Sequence, residues 1–240
     1  MSSDAHFLTT RWSCVLAAGE ASDLERARAA LAELCEGYWW PLYAYARRRG
    51  WTAEDASDVV QAFFARLLEK RDLSGLSPEG GRFRAWLLAS LKNFLSNWRD
   101  KEQTLKRGGG RVSLSIDFEQ ADRRWQAEPA TEDDAERLYE KSWAVALLER
   151  SLAKLREEYE RSGRGTVYAV LAPELQAGAE HRPYAELAAD LGMTEGAVKV
   201  AVHRLRQRWA DSLCAEIAHT VASEDEVEDE TRALFDALGA

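Results

Sequence analysis

Cysteine is scarce in this sequence, with three in 240 residues, and its placement excludes most of its chemistry. Cys14, Cys35 and Cys214 are far apart, odd in number and without a CxxC pair, so neither a disulfide framework nor a zinc site is expected, and the thiols read as reduced packing residues. No apolar run approaches the roughly 20 residues that cross a bilayer. Met1 to Leu8 has neither the basic stretch nor the apolar core of a signal peptide. A cytoplasmic protein without a membrane partner is the expectation. Glycine-rich phosphate loops, an HExxH pair and a Ser/His/Asp setting are also missing, and His6, His181, His203 and His219 are scattered. On this reading the chain is not an enzyme and takes no cofactor or metal. Alternating strand patterns are missing too, apart from a short hint at Val112 to Ile116, and no internal repeat occurs.

What is abundant is charge, and it is segregated. The formal net charge is −9, the wrong sign for a nucleic-acid binder taken as a whole. Between Arg82 and Arg111, however, Arg82, Arg84, Lys92, Arg99, Lys101, Lys106, Arg107 and Arg111 face only Asp100 and Glu102, a local net of +6. A second basic cluster is Lys199, Arg204, Arg206 and Arg208, with His203 among them. The acids gather between Asp117 and Glu136 and between Glu224 and Asp236. Overall acidity therefore does not exclude a DNA partner.

Helical periodicity dominates, and the composition, 46% hydrophobic and 30% charged, is that of a folded two-domain chain. Ser22 and Glu25 have capping-box spacing before a first helix that ends at Gly37. A second runs from about Pro41 to Gly50. Thr52 and Asp55 repeat the cap and open a third helix to about Lys70, with the stripe Val59, Val60, Phe63, Phe64, Leu67 and Leu68. After a Gly- and Pro-containing loop, Arg82 to about Gln103 reads as a fourth helix with Phe83, Trp86, Leu87, Leu91, Phe94, Leu95 and Trp98 on or near its buried face. From Val112 to Asp134 the periodicity lapses and acids accumulate, which predicts an irregular linker. Leu138 to Tyr159 forms a long helix broken at Ser162 to Gly165, and a shorter helix starting at Thr166 meets Pro173.

Tyr184 to Trp209 fits a helix-turn-helix, whose second helix lies in the DNA major groove. Leu187, Ala188 and Leu191 form the inner face of its first helix. Gly192 permits the turn, Thr194 caps the next helix, and Val198, Ala201, Val202 and Leu205 pack inward. Thr194, Glu195, Gly196, Lys199, Val200, His203, Arg204 and Arg206 are left to reach groove edges or phosphates. The plainer alternative is a helical hairpin with a solvated basic face.

YAELAADLGMTEGAVKVAVHRLRQRW resembles the DNA-binding region of extracytoplasmic-function (ECF) sigma factors. DASDVVQAFFARLLE is similar to their polymerase-binding helix and GRFRAWLLASLKNFLSNWRDK to their promoter-melting helix. FLTTRWS and EIAHTVASEDEVEDE resemble flanks of a long-chain subgroup described mainly from planctomycetes.

The resemblance implies an all-α fold of two helical domains joined by an acidic linker. Residues 1–21 would be an N-terminal extension, 22–110 sigma region 2, 111–135 the linker, 136–222 sigma region 4 with the helix-turn-helix, and 223–240 an acidic tail. The partners implied are core RNA polymerase, through its beta-prime clamp helices and beta flap, and promoter DNA. An anti-sigma protein or a kinase is a candidate regulator, and the free chain would be a monomer.

By residue, the resemblance places Asp55, Asp58, Gln61 and Phe64 on the clamp helices. Asp55 serves the start of its helix equally well. Arg82, Arg84, Lys92, Asn93, Asn97, Arg99 and Lys101 would contact the minus-ten element, with core packing favoured over base stacking for Trp86 and Trp98. The alternative function is a helix-turn-helix regulator that is not a polymerase subunit. The tail Glu224 to Asp236 is expected either to stay solvated or to fold over the basic recognition helix.

Overall fold

The computed structural model describes residues 37–69, 82–101, 118–127, 134–175, 182–221 and 225–239, with isolated positions 29, 32, 33, 35 and 223. Among the described residues every regular element is helical, as the periodicity predicts. The first helix expected, 22–37, lies almost wholly outside them, as does the loop before Arg82. Two compact units emerge, Met1–Ala146 with Ile217–Ala240, and Leu147–Glu216. Their limits differ from those drawn on the sequence, because residues 111–146 and the C-terminal segment from Ile217 belong to the first unit.

In the first unit, α1 (Trp39–Arg48) buries every residue from Trp40 to Ala46, the mark of a central helix. Gly50, at φ 87°, makes the turn that a side chain would strain. Helix α2 (Ala53–Glu69) lays Ala56, Val59, Val60, Phe63, Phe64 and Leu67 into the core, and α3 (Phe83–Lys101) adds Phe83, Leu87, Leu88, Leu91 and Leu95. Each large side chain fully buried in this way contributes about 1.5–3 kcal/mol. Tyr38 meets Phe83 edge-on at 4.9 Å. Trp86, Phe94 and Trp98, expected on or near the buried face, are half-buried.

The stretch expected to be an irregular linker contains α4 (Phe118–Ala127). Polar and aromatic contacts hold it, since its only fully buried residue among those described is Ala121. Arg47 donates to Asp122 Oδ1 at 2.6 Å and, with Arg48, lies over the Trp125 ring at 5.2 and 5.6 Å. Arg124 covers Trp40 at 4.6 Å. The hydrogen bond from Arg47 holds the Asp122 carboxyl below its ordinary range.

Helix α5 (Ala135–Arg161) supplies Leu138, Tyr139 and Trp143 to the first core. The acidic tail is helical, exposed or half-buried at most positions, and it belongs to the first unit. It forms α9 (Asp225–Leu238), which buries Glu230 and Leu234 within the first unit.

In the second unit, α5 ends at Arg161 and the chain turns at Gly163, φ 71°, as the Ser162 to Gly165 break predicts. Helix α6 (Gly165–Leu171) then runs into a 3₁₀ turn, Ala172–Leu175, where Pro173 sits. Helices α7 (Tyr184–Leu191) and α8 (Glu195–Ala218) follow. The core joins Leu155, Tyr159, Leu171, Leu187, Ala188, Val198, Val202 and Leu205. Trp209 Nε1 donates to Ser151 Oγ at 2.9 Å, while Glu216, 4% exposed, takes Arg150 at 3.4 Å and also pairs with Lys154. No helix among the described residues is long and apolar enough to cross a membrane.

Candidate nucleic-acid interface

Helix α2 separates its carboxylates by job. Asp55 is bound into the capping box: its backbone N–H donates to Thr52 Oγ1 at 3.1 Å, and Thr52 Oγ1 donates to the Asp55 carboxylate at 2.7 Å. The helix start therefore claims it. Asp58 and Gln61 are exposed, three residues apart and free to meet a partner helix. Phe64 is not on that face. It is fully buried, because its place in the apolar stripe points it inward, so it acts in the core and not at a surface.

Helix α3 divides along its length. At its start Arg84, 9% exposed, donates Nε to Glu230 Oε1 at 2.7 Å and Nη2 to Oε2 at 3.2 Å. The same guanidinium pairs with Glu140 and lies 4.3 Å over the Trp143 ring. Arg82 Nε reaches Glu230 Oε2 at 2.9 Å. Tyr139, fully enclosed, donates its hydroxyl to the Arg84 carbonyl at 2.9 Å, and burial pushes its ionisation well above the usual tyrosine range. Arg84 thus serves as an internal staple, which corrects its expected role at DNA.

Further along, Lys92 pairs with Glu136 at 2.5 Å. Asn93 and Asn97 are exposed, the Asn97 amide donating to the Asn93 carbonyl at 2.7 Å. Beside them Phe94 packs on Trp98 at 5.3 Å and on Phe63 at 5.6 Å, with Arg66 above the Phe94 ring at 5.7 Å. The mix of amides, half-buried rings and a cation suits unpaired bases. Arg99 and Lys101 lie on this helix, with side chains outside the described residues.

In the second unit Gly192 adopts φ 62°, ψ 31° as the C-cap of α7, the left-handed geometry that ends one helix and turns to the next. Thr194 Oγ1 accepts the Ala197 N–H at 3.2 Å, capping α8 as its position predicts. Inward go Leu187, Ala188, Val198, Val202 and Leu205. Outward, on successive turns, go Thr194, Glu195, Gly196, Lys199, Val200, His203, Arg204 and Arg206. All eight stand exposed. Arg206 also reaches the Glu174 carbonyl at 3.0 Å, which holds its stem toward the 3₁₀ turn. Among the described residues Lys199, His203 and Arg204 enter no ion pair.

Sequence reasoning missed three acids. Glu136, Glu140 and Glu230 cover cations of α3. The signal for Glu230 was present, since it sits between Val227 and Leu234 at helical spacing, an acid on an apolar stripe. Exposed Met193 beside the α7–α8 turn was also missed; an apolar side chain after a glycine was the available clue.

Residues 39–104, the span of α1 to α3, match the family model of Sigma-70 region 2. The chain therefore carries a Sigma-70 region 2 domain, which supports an RNA polymerase sigma factor in general and implies core RNA polymerase and promoter DNA as binding partners. Neither a curated protein nor a solved structure matches the chain.

Proposed function

We propose that this chain is an ECF-type sigma factor of the long-chain subgroup that the flanking segments resemble. It directs core polymerase to promoters from the cytoplasm and catalyses no reaction itself. The observation that carries the reading is the coexistence of a region 2 domain on residues 39–104 with a second unit whose α8 presents Lys199, Val200, His203 and Arg204 to solvent. Asp58 and Gln61 of α2 meet the clamp helices of the polymerase. The Asn93 and Asn97 face of α3, with Phe94 and Trp98, takes the separated minus-ten strand, where each stacked base is worth about 1–3 kcal/mol.

Helices α7 and α8 act as the helix-turn-helix on the minus-thirty-five duplex, Lys199 and Arg204 on phosphates and Val200 against base edges. Either contact alone is weak, and tethering both to polymerase raises the effective concentration of the second. Reconstitution tests this. Wild-type chain should associate with purified core polymerase and start transcription at a defined site from a randomised promoter library. Asp58→Ala should weaken that association by about 1–2 kcal/mol with unchanged thermal stability. A chain that bound promoter DNA specifically without polymerase, and ignored polymerase, would instead be an independent regulator.

A further inference from the structure

We propose that helix α9 is a built-in phosphate mimic: the Glu230 carboxylate occupies the position on Arg82 that a promoter backbone phosphate takes when DNA engages α3. The inference rests on the reading of α3 as a DNA-facing helix. Glu230 is a carboxylate with no exposure at all, held by Arg84 Nε at 2.7 Å and by Arg82 Nε at 2.9 Å. Two oxygens facing two guanidinium groups reproduce the recognition of a phosphate diester.

The two arginines are not equivalent. Arg84 keeps Glu140 and the Trp143 ring when Glu230 leaves, so the core retains its staple. Arg82 is 30% exposed and has Glu230 as its only ion-pair partner among the described residues. Departure of α9 therefore frees one cation at the start of the helix that carries Asn93 and Asn97, the candidate readers of the opened strand.

Detachment is also mechanically accessible. Only Glu230 and Leu234 of the fourteen residues of α9 are buried. Ile217, Thr220 and Val221, which precede it, are buried in the first unit, and Thr220 accepts the Phe83 N–H at 3.2 Å. The Thr220–Phe83 hydrogen bond does not involve α9, so it can hold this segment when α9 leaves. Exposed acids of α9, Asp225 and Asp236 in solvent and Glu228 and Asp229 shared with Arg232, add like-charge repulsion against a strand that approaches the docked helix.

The test measures binding of a labelled single-stranded oligonucleotide to the full chain across a salt series, for wild type, Glu230→Gln and Glu230→Gln/Arg82→Ala. Glu230→Gln should bind about fivefold tighter, the scale of one added charge-assisted contact. Its dependence of log K on log salt should steepen by about 0.7, the value for one phosphate on a single strand. Adding Arg82→Ala should cancel both gains. In wild type, amide hydrogen exchange across 225–238 should speed up when core polymerase and promoter DNA are added.

Unchanged affinity and slope in Glu230→Gln, with native helicity, would overturn the proposal. So would continued protection of 225–238 in the promoter complex, a measurement that needs no variant to fold. If the wild-type chain instead fails to join core polymerase and start transcription, the reading of α3 falls and takes the mimic with it. A transcribing holoenzyme with unmoved α9 removes the mimic alone.

Discussion

Helices α3 and α8 are both basic, and apart from Arg208, which pairs with Glu158, the protein treats their charges in opposite ways. Along α8, Lys199, His203 and Arg204 stand in solvent. At the start of α3, Arg82 and Arg84 are gripped by acids from α5 and α9, and Lys92 leans on Glu136. A count of charges along the chain makes the two helices equivalent. Which cations face water depends on where the acids return in space, and residues 44 to 146 positions away supply them.

The sharpest way to break this contrast is Arg84→Ala. Glu230 would lose its two-pronged partner inside the fold, and Trp143 would lose the guanidinium over its ring. A loss of about 2–4 kcal/mol in denaturant unfolding is expected; a change below about 0.5 kcal/mol would put Arg84 in the same class as the cations of α8. Next in size is Gly192→Ala, which forces a side chain into φ 62° at an otherwise open position. It should cost about 1–2 kcal/mol and weaken duplex binding, because the turn sets the angle of α8.

Smallest in stability is Arg204→Ala, expected to stay within about 0.5 kcal/mol. Promoter affinity of the holoenzyme should nevertheless fall across all sequences, with a salt slope shallower by about 1. A matching drop in thermal stability would show that Arg204 too is structural.

Much of this fold was legible in the residues themselves. The stripes of α2 and α3 went into the core with Val59, Val60, Leu87 and Leu91, and the Gly192 turn with its Thr194 cap formed where the spacing puts them. These features are local, fixed by periodicity and by φ, ψ preference. What was not legible is held by tertiary partners. Helix α4 lacks an apolar stripe and is fastened by Arg47, Arg48 and Trp40, seventy or more residues earlier. In α9 the acids conceal a thin apolar line through Val227 and Leu234.

Phe64 failed for a related reason. The resemblance placed it at an interface, whereas its own stripe already put it inside. Asp55 shows the converse, since the capping-box spacing with Thr52 correctly named the atom that binds it. The exposed amide Asn93 came from the resemblance and Asn97 from the polar face of the helix, and their neighbours Phe94 and Trp98 are half-buried.

Val200 stands 49% exposed amid the polar side chains of α8, and the exposed part of its isopropyl group organises water. In the major groove the 5-methyl of thymine is a natural hydrocarbon counterpart, and cytosine carries none there. Covering the two methyl surfaces together returns roughly 25 cal/mol for each Å² withdrawn from water. Discrimination between these two pyrimidines would then stem from shared oiliness, at a position where no hydrogen bond is available to make the choice.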